Sequence, residues 1–463
     1  MKRRLILSTV SCSLLFPLSI SCSNSTTKSD FSVISEKIKI LEDKINKNNN
    51  DKVDLSEQKI KINLLKQEIE SWNNKQLKTN EINAKTEEFN SKLTKIKKEV
   101  NQKINDSKTE SDDQAGDDQG NNNLTQDKIR IGSWNILNYG PKNKWDDINQ
   151  FKAVSLARTM HYNKMDVVGI CEINKGRVDK LKYIIDELNR LDSQAKWTYV
   201  ATDENKGAYN PASSDAQSED AAFIYKSSKL KVKQFSDGTK GRSYDNKTFE
   251  SIYQQQNGYV RPPFGAFFET LGLVKNDFTL VVSHFDSPGS KKSANESNGI
   301  SGQGAFESNE AANLDNLMEY FDLLDEKNDD LFFMGDTNIK AKNGKELFRR
   351  AYDKGYEALF DDSDDASRSS LGTKNWGKKS EPYDRFIVKT NLKTLNPTVY
   401  DLYNLPDTGL FKDYNIDSKE SWISYVSNNL KKEYSTDGSY LGKLVSDHCP
   451  IYFDLALNPD DQN

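Results

Sequence analysis

From about residue 127 onward, short apolar runs alternate with amphipathic stretches. The runs are rich in Val, Ile and Phe, as strands covered on both faces are. Several end in a polar side chain. Ile129-Arg130-Ile131-Gly132-Ser133-Trp134-Asn135 ends in an amide, Asp166-Val167-Val168-Gly169-Ile170-Cys171-Glu172 in a carboxylate, and Val281-Val282-Ser283-His284 in an imidazole. Leu331-Phe332-Phe333-Met334-Gly335-Asp336-Thr337-Asn338 has a carboxylate and an amide at its tip, and Ser446-Asp447-His448-Cys449-Pro450 adjoins another run. Between the runs, apolar residues recur at helical spacing. Phe151 to Tyr162 (Ala153, Leu156, Ala157, Met160), Val178 to Leu191, and Asn309 to Asp325 (Leu314, Leu317, Phe321, Leu324) each predict a helix. Strands alternating with helices predict sheets whose outer faces are covered by helices.

The first third follows a different pattern. Lys2-Arg3-Arg4 precedes an apolar stretch from Leu5 to Ile20, then Ser21-Cys22, the plan of a secretion signal over residues 1–22. Leu18-Ser19-Ile20-Ser21-Cys22 resembles a loose bacterial lipobox, which makes Cys22 the lipidated residue; the alternative is ordinary cleavage near Ser21. Pro17 and the short run argue against a spanning helix. Residues 32–110 are rich in Lys, Glu and Asn. Ile38, Leu41 and Ile45, then Ile62, Leu65, Ile69 and Trp72, then Phe89, Leu93, Ile96 and Val100 step by three and four, with a polar break at Asn46 to Asp51. The pattern predicts a helical coiled-coil segment: a stalk, a seam for a homo-oligomer, or a helical hairpin. A charged, partly helical spacer is the plainer reading. Straight, ~70 helical residues would span ~100 Å. Residues 111–126 have almost no apolar content and read as a disordered acidic linker.

Composition narrows the function classes. Charged residues make up 29% of the 463, yet the net charge is only -5, which excludes a basic nucleic-acid coat protein. Outside the N-terminal segment the cysteines are Cys171 and Cys449, so a disulfide-dense scaffold is excluded. Two buried thiols and a disulfide beneath the site both remain open. Of three histidines, two lie in the polar-tipped strings and His161 lies at a helix end. Carboxylates, amides and imidazoles delivered at strand ends suit hydrolysis assisted by a hard metal ion.

In their order, Ser-Trp-Asn, the strand ending in Glu172, Ser-His, Gly-Asp-Thr-Asn and Ser-Asp-His resemble the endonuclease/exonuclease/phosphatase superfamily over residues 127–457. Three further segments are similar to the deoxyribonuclease I branch: Glu219 to Lys226, Arg261-Pro262-Pro263-Phe264, and Tyr383-Asp384-Arg385-Phe386-Ile387-Val388. With the N-terminal features, the chain looks like the mycoplasma-type membrane nucleases. Pro262 departs from that branch's Arg-Glu pairing. Residues 237–257, 286–310 and 401–440 read as insertions.

The resemblance implies an α/β four-layer αββα sandwich of two mixed sheets over residues 127–457. It also implies a magnesium-dependent site, with calcium or manganese as alternatives. Glu172 is the leading metal ligand, with Asn135, Asp447 and Asp336 beside it. Asp336 and Asn338 lie two apart and share a side on an extended backbone, though Gly-Asp-Thr-Asn is also good turn chemistry. The resemblance gives Asp336 the attacking water and Asn338 the phosphate. It makes His448, oriented by Asp384, the general base, and His284, oriented by Glu219, the general acid or phosphate donor. Arg261, Arg385 and Asn135 are candidate phosphate contacts, and a structural ion pair is an equal reading for Arg385. Tyr253, Tyr259 and Trp376 could stack on bases, though packing is the commoner use. The expected function is a lipid-anchored extracellular nuclease acting on nucleic acid, chiefly DNA. A lipid phosphodiesterase of the same fold and a non-catalytic surface adhesin are the alternatives.

Overall fold

The computed structural model describes residues 128–461 except 142, 203–217 and 290–298, and residues 27–100 in part. Cys22, the signal segment, the polar break at 47–51 and the acidic linker lie outside the described residues. The chain divides into two compact units, Met1–Asn123 and Leu124–Asn463.

In the first unit, β1 (Thr27–Lys28) pairs antiparallel with β2 (Gln76–Leu77), and α1 spans Ser56–Trp72. The apolar stripes face one another: Ile38, Leu41 and Ile45 share one core with Ile62, Leu65 and Ile69, and with Phe89, Leu93 and Ile96. The Phe31 and Phe89 rings are 5.2 Å apart. A single straight rod would hold those rings far apart, so the segment folds back on itself. Lys61–Glu99, Lys66–Glu42 and Lys92–Glu68 pairs rim the core.

The second unit holds two mixed sheets. In chain order its strands are β3 (Lys128–Tyr139), β4 (Val167–Asn174), β5 (Trp197–Ala201), β6 (Glu219–Lys226), β7 (Leu230–Val232), β8 (Arg242–Ser243), β9 (Phe264–Thr270), β10 (Asp277–His284), β11 (Leu331–Asp336), β12 (Glu357–Ala358), β13 (Asp384–Lys389), β14 (Lys393–Val399) and β15 (Ile451–Ala456). One sheet runs β14-β15-β3-β4-β6-β5. The other runs β12-β13-β11-β10-β9-β7, with β8 also beside β9. β3 with β4 and β10 with β11 are parallel; the remaining pairs are antiparallel.

Three cores separate four layers. Ile131, Phe223, Leu280, Val282, Met334 and Phe453 fill the space between the sheets. Trp134, Ile170 and Ile224 face α2 (Asp147–Tyr162), α3 (Lys182–Leu191) and the 401–445 region. Val281 and Phe333 face α4 (Ala305–Ala312) and α5 (Leu314–Leu324). Alternate residues of each strand thus enter different cores. This is why the strands read as unbroken apolar runs.

The helix expected over Asn309 to Asp325 is two helices. Asn313 separates them, accepting from the Glu250 backbone and donating to Asn309 O. Such side-chain bonds compete with helical ones. Gly335 is needed where β11 passes β10: its φ is +138°, and a Cβ there would lie 1.9 Å from Ser283 O.

Candidate active site

The inter-sheet face ends in a cluster of polar groups. Going up β10 and β11, Leu280 and Val282, then Phe332 and Met334, enter the inter-sheet core; the next positions on that face are His284 and Asp336, which are register partners. By the same alternation Asp384 follows Phe386 and Val388, and Glu219 follows Phe223. Glu172 breaks the rule. Its strand-mate Ile170 faces the helices, so regular alternation would have sent Glu172 there too. The register instead shifts between Ile170 and Ile173, and Glu172 has φ +61°, turning it toward Asn135. Leu137 (φ +50°), Asn138 (φ +49°) and Asn338 (φ +52°) are also left-handed. Such conformations persist where the surroundings hold them, and they concentrate at functional sites.

Two histidine–carboxylate pairs converge on one carboxylate. His284 Nδ1 is 2.9 Å from Glu219 Oε2, and His448 Nδ1 is 2.6 Å from Asp384 Oδ2. Their Nε2 atoms lie 3.6 and 3.3 Å from Asp336 Oδ2. Asn135 Nδ2 donates to Glu172 Oε1 at 2.8 Å and to Asp336 Oδ2 at 3.1 Å, joining the two sheets. The Asn138 backbone N–H donates to Glu172 Oε2 at 2.9 Å. Arg261 Nε donates to Glu219 Oε1 at 2.8 Å, and its Nη1 to Phe285 O at 2.9 Å. Ser446 and Trp134 fix the turn carrying His448, through Asn135 O and His448 O.

The charges set the protonation states. Burial alone would lower the pKa of His448, but Asp384 and Asp336 outweigh it and hold the ring well above the ordinary imidazole value. Burial and Arg261 lower that of His284, while Glu219 and Asp336 outweigh them and raise it. Burial pushes Asp336 and Glu219 up, and the histidines more than compensate, so both lie below the usual carboxylate range. Asp447 goes the other way: burial, then the charges of Glu172 and Asp336, raise it despite His448.

This donor set fits a hard divalent cation. Asp447 Oδ1 is buried with no hydrogen-bond partner, and its carboxylate interacts with Glu172 and Asp336. A buried carboxylate oxygen left alone is costly, and a cation shared with the neighbouring carboxylates would satisfy it.

One contributor was missed from sequence. Lys152 of α2 buries its amine, donates to Leu137 O, and lies close enough to Glu172 and Asp447 for both to favour its charge. Its signal was a lysine inside the wholly buried stretch from Phe151 to Met160.

Several expectations need correction. Arg385 does not face the site. Next to Asp384 on β13, it points to the opposite side with Ile387, is 2% exposed, and pairs with Asp362 at 2.8 Å. Strand alternation is the physical reason. Asp336 and Asn338 meet through a turn instead of a shared strand face: β11 stops at Asp336, and the Asn338 N–H donates to Asp336 Oδ1. The Asn338 amide is held by Phe285 O. Other expectations are met: Cys171 and Cys449 are free, buried thiols, and of the aromatic residues Tyr259 is core, with its hydroxyl on Glu310 O, and Trp376 packs on Tyr403.

No family model and no curated protein matches the chain. Among solved structures it is similar to an endonuclease/exonuclease/phosphatase family protein from Bacteroides thetaiotaomicron, 14% identical over 73% of this chain and 98% of that one, with TM-score 0.45. It is similar to the human Nocturnin catalytic domain with bound sulfate (11%, 72% and 95%, TM-score 0.41). It is also similar to D. rerio TDP2 complexed with a single-strand DNA product (13%, 71% and 98%, TM-score 0.41).

Proposed function

We propose that this chain is a metal-dependent phosphodiesterase of the endonuclease/exonuclease/phosphatase kind whose substrate is nucleic acid, chiefly DNA. In this reading it works at the outer face of a membrane, anchored by lipid on Cys22. The observation that carries the reading is the convergence of the His284–Glu219 and His448–Asp384 pairs, from opposite sides, on Asp336.

Phosphodiester hydrolysis needs a water deprotonated, the phosphate charge neutralised, and the leaving alkoxide protonated. Each carboxylate partner accepts a hydrogen bond from the Nδ1–H of its ring and leaves Nε2 for the reaction. With a cation held by Asp336 and Asp447 offsetting charges that raise the His448 pKa, Asp384 would present a neutral ring with Nε2 as proton acceptor beside Asp336, where the attacking water is oriented. Glu219 holds His284 as an imidazolium whose Nε2–H donates to a phosphate oxygen or the departing alkoxide. Arg261 is already committed to Glu219 and Phe285 O, so it locks that pair. A magnesium ion held by Glu172, Asp336, Asp447 and Asn135 would supply the charge that the phosphate oxygens require. The deoxyribonuclease-like segments at Glu219, Arg261 and Tyr383-Asp384 support DNA over lipid.

The test is the full-length protein on plasmid DNA, RNA and sphingomyelin, each with magnesium, calcium or chelator. Magnesium-dependent cutting of DNA, abolished by chelator, is expected. Activity confined to sphingomyelin, or cutting of DNA that chelator leaves untouched, overturns the reading.

A further inference from the structure

At the opposite end of β11 from the histidines, three aspartates meet. Asp329 and Asp330 immediately precede the strand, and Asp461 lies beyond β15 near the C-terminus. One carboxylate oxygen from each lies within 4.8 Å of the others. Asp330 is fully buried, and its Oδ2 has no hydrogen-bond partner; Oδ1 accepts from the Thr390 hydroxyl. Neutral amides set the other two: Asn391 Nδ2 donates to Asp329 Oδ2 at 2.7 Å, and Asn276 Nδ2 to Asp461 Oδ2 at 2.8 Å.

Carboxylates act on one another within this cluster. Asp330 feels Asp461 and Asp329, and Asp461 feels Asp329 and Asp277. Lys233 is paired with Asp277. Burial, with the carboxylates adding to it, pushes Asp330 up to about 7. A buried carboxylate with an unpartnered oxygen, close to two further carboxylates, is relieved either by a proton or by a cation. The donors are all oxygen, and they come from two separate segments, the adjacent Asp329 and Asp330 and the distant Asp461. Such a set favours calcium, which accepts an irregular shell of about 6–8 oxygens, over magnesium, which demands a near-ideal octahedron.

We propose that Asp329, Asp330 and Asp461 bind a calcium ion that ties the C-terminal segment to the start of β11. The site is separate from the reaction centre. The six residues of β11 stand between them, a rise of ~20 Å. It is a site of stability, which leaves the proposed hydrolysis to the other end of the sheet.

The test uses the full chain stripped with EGTA. Calcium binding is measured by calorimetry, and melting is followed with and without calcium. In Glu172→Gln protein, which lacks a ligand of the reaction centre, calcium should still bind and raise the melting temperature, by ~3 °C or more at ~100-fold excess over Kd. Asp461→Asn should weaken binding at least ~10-fold and remove that increment. Asp330→Asn should also lose the calcium response, yet melt higher than wild type when calcium is absent, because a buried like charge is gone. An equal calcium increment in wild type and Asp461→Asn, or no calcium bound by Glu172→Gln protein, overturns the proposal. Neither readout depends on nuclease activity.

Discussion

His284 and His448 reach Asp336 from two different segments, and the neighbours that orient them differ in kind. Asp384 is fully inside the protein, whereas Glu219 is shared with Arg261. Replacing either ring by alanine removes a proton-transfer group whose contribution is typically ~100-fold or more. His284→Ala and His448→Ala should each lower turnover by at least that factor in folded protein. Steady-state kinetics with magnesium is the check, and near-wild-type rates in either variant would remove the assignment. Arg385 makes the contrasting case. Its guanidinium is buried while Asp362 is partly exposed, so truncation leaves a half-buried carboxylate without its partner, a loss below the ~3–5 kcal/mol typical of a fully buried pair. Arg385→Ala should lower the melting temperature markedly and leave KM for DNA unchanged in whatever protein stays folded. A raised KM at unchanged stability would return Arg385 to the phosphate. At this scale the strings ending in His284, Asp336 and Glu172 were legible, because a polar group closing an apolar run has few bland uses. The facing of Arg385 was legible in principle from strand alternation, since Asp384 and Arg385 cannot both enter one site.

At the scale of elements, α2 does more than cover a sheet. Its Lys152 holds Leu137 O, within the left-handed pair Leu137–Asn138 whose Asn138 N–H bonds Glu172. Supporting residues of this sort typically change activity by ~10–100-fold. Lys152→Met should lower kcat on the order of 10-fold without weakening magnesium activation, because a competing positive charge leaves with it. A magnesium titration at saturating DNA separates the two effects, and weaker activation at unchanged kcat would contradict this role. The pairing of β3 with β15 carries a pH signature. Arg130 and Lys128 clasp Asp454 at 2.7 and 2.8 Å, and although burial alone would raise it, these bonds bring its pKa from 3.8 down to about 2. A carboxyl depressed on folding adds stability above its unfolded value, and that stability is lost as the pH falls through about 2. Melting temperatures between pH 5 and 2 should therefore fall less steeply in Asp454→Asn than in wild type; equal slopes would show that the clasp adds nothing. Strands and helices were legible because period-2 and period-3.6 patterns report burial directly. The bulges at Glu172 and Leu137 were not, since no residue type there announces a left-handed backbone. Nor was the break at Asn313, which depends on partners 63 residues away in sequence.

For the whole molecule, the decisive fact is that the two units have separate interiors. Among the described residues, Phe31 to Val100 close one core, and the three cores of the second unit draw on residues from Ile129 onward. All of the described site residues belong to Leu124–Asn463. Residues 127–463 should therefore fold alone and cut DNA at a rate within a few-fold of the full chain, as fragment and full-length assays on plasmid DNA would show. A folded but inactive fragment would make the helical unit part of the enzyme. In the proposed reading, attachment rests on lipid at Cys22. Among the described residues no helix is long and apolar enough to cross a membrane. A lipid on Cys22 would supply ~0.8 kcal/mol per buried methylene; one acyl chain binds a bilayer only marginally, so a stable anchor at Cys22 would need more than one chain. Mass spectrometry of the mature N-terminus should find a lipidated Cys22, and Cys22→Ser should move the full-length protein from the membrane fraction to the medium with its nuclease activity intact. An unmodified Cys22, or a Cys22→Ser protein still sedimenting with membranes, would require another anchor and would shift attention to residues 32–110 as a membrane- or partner-binding element.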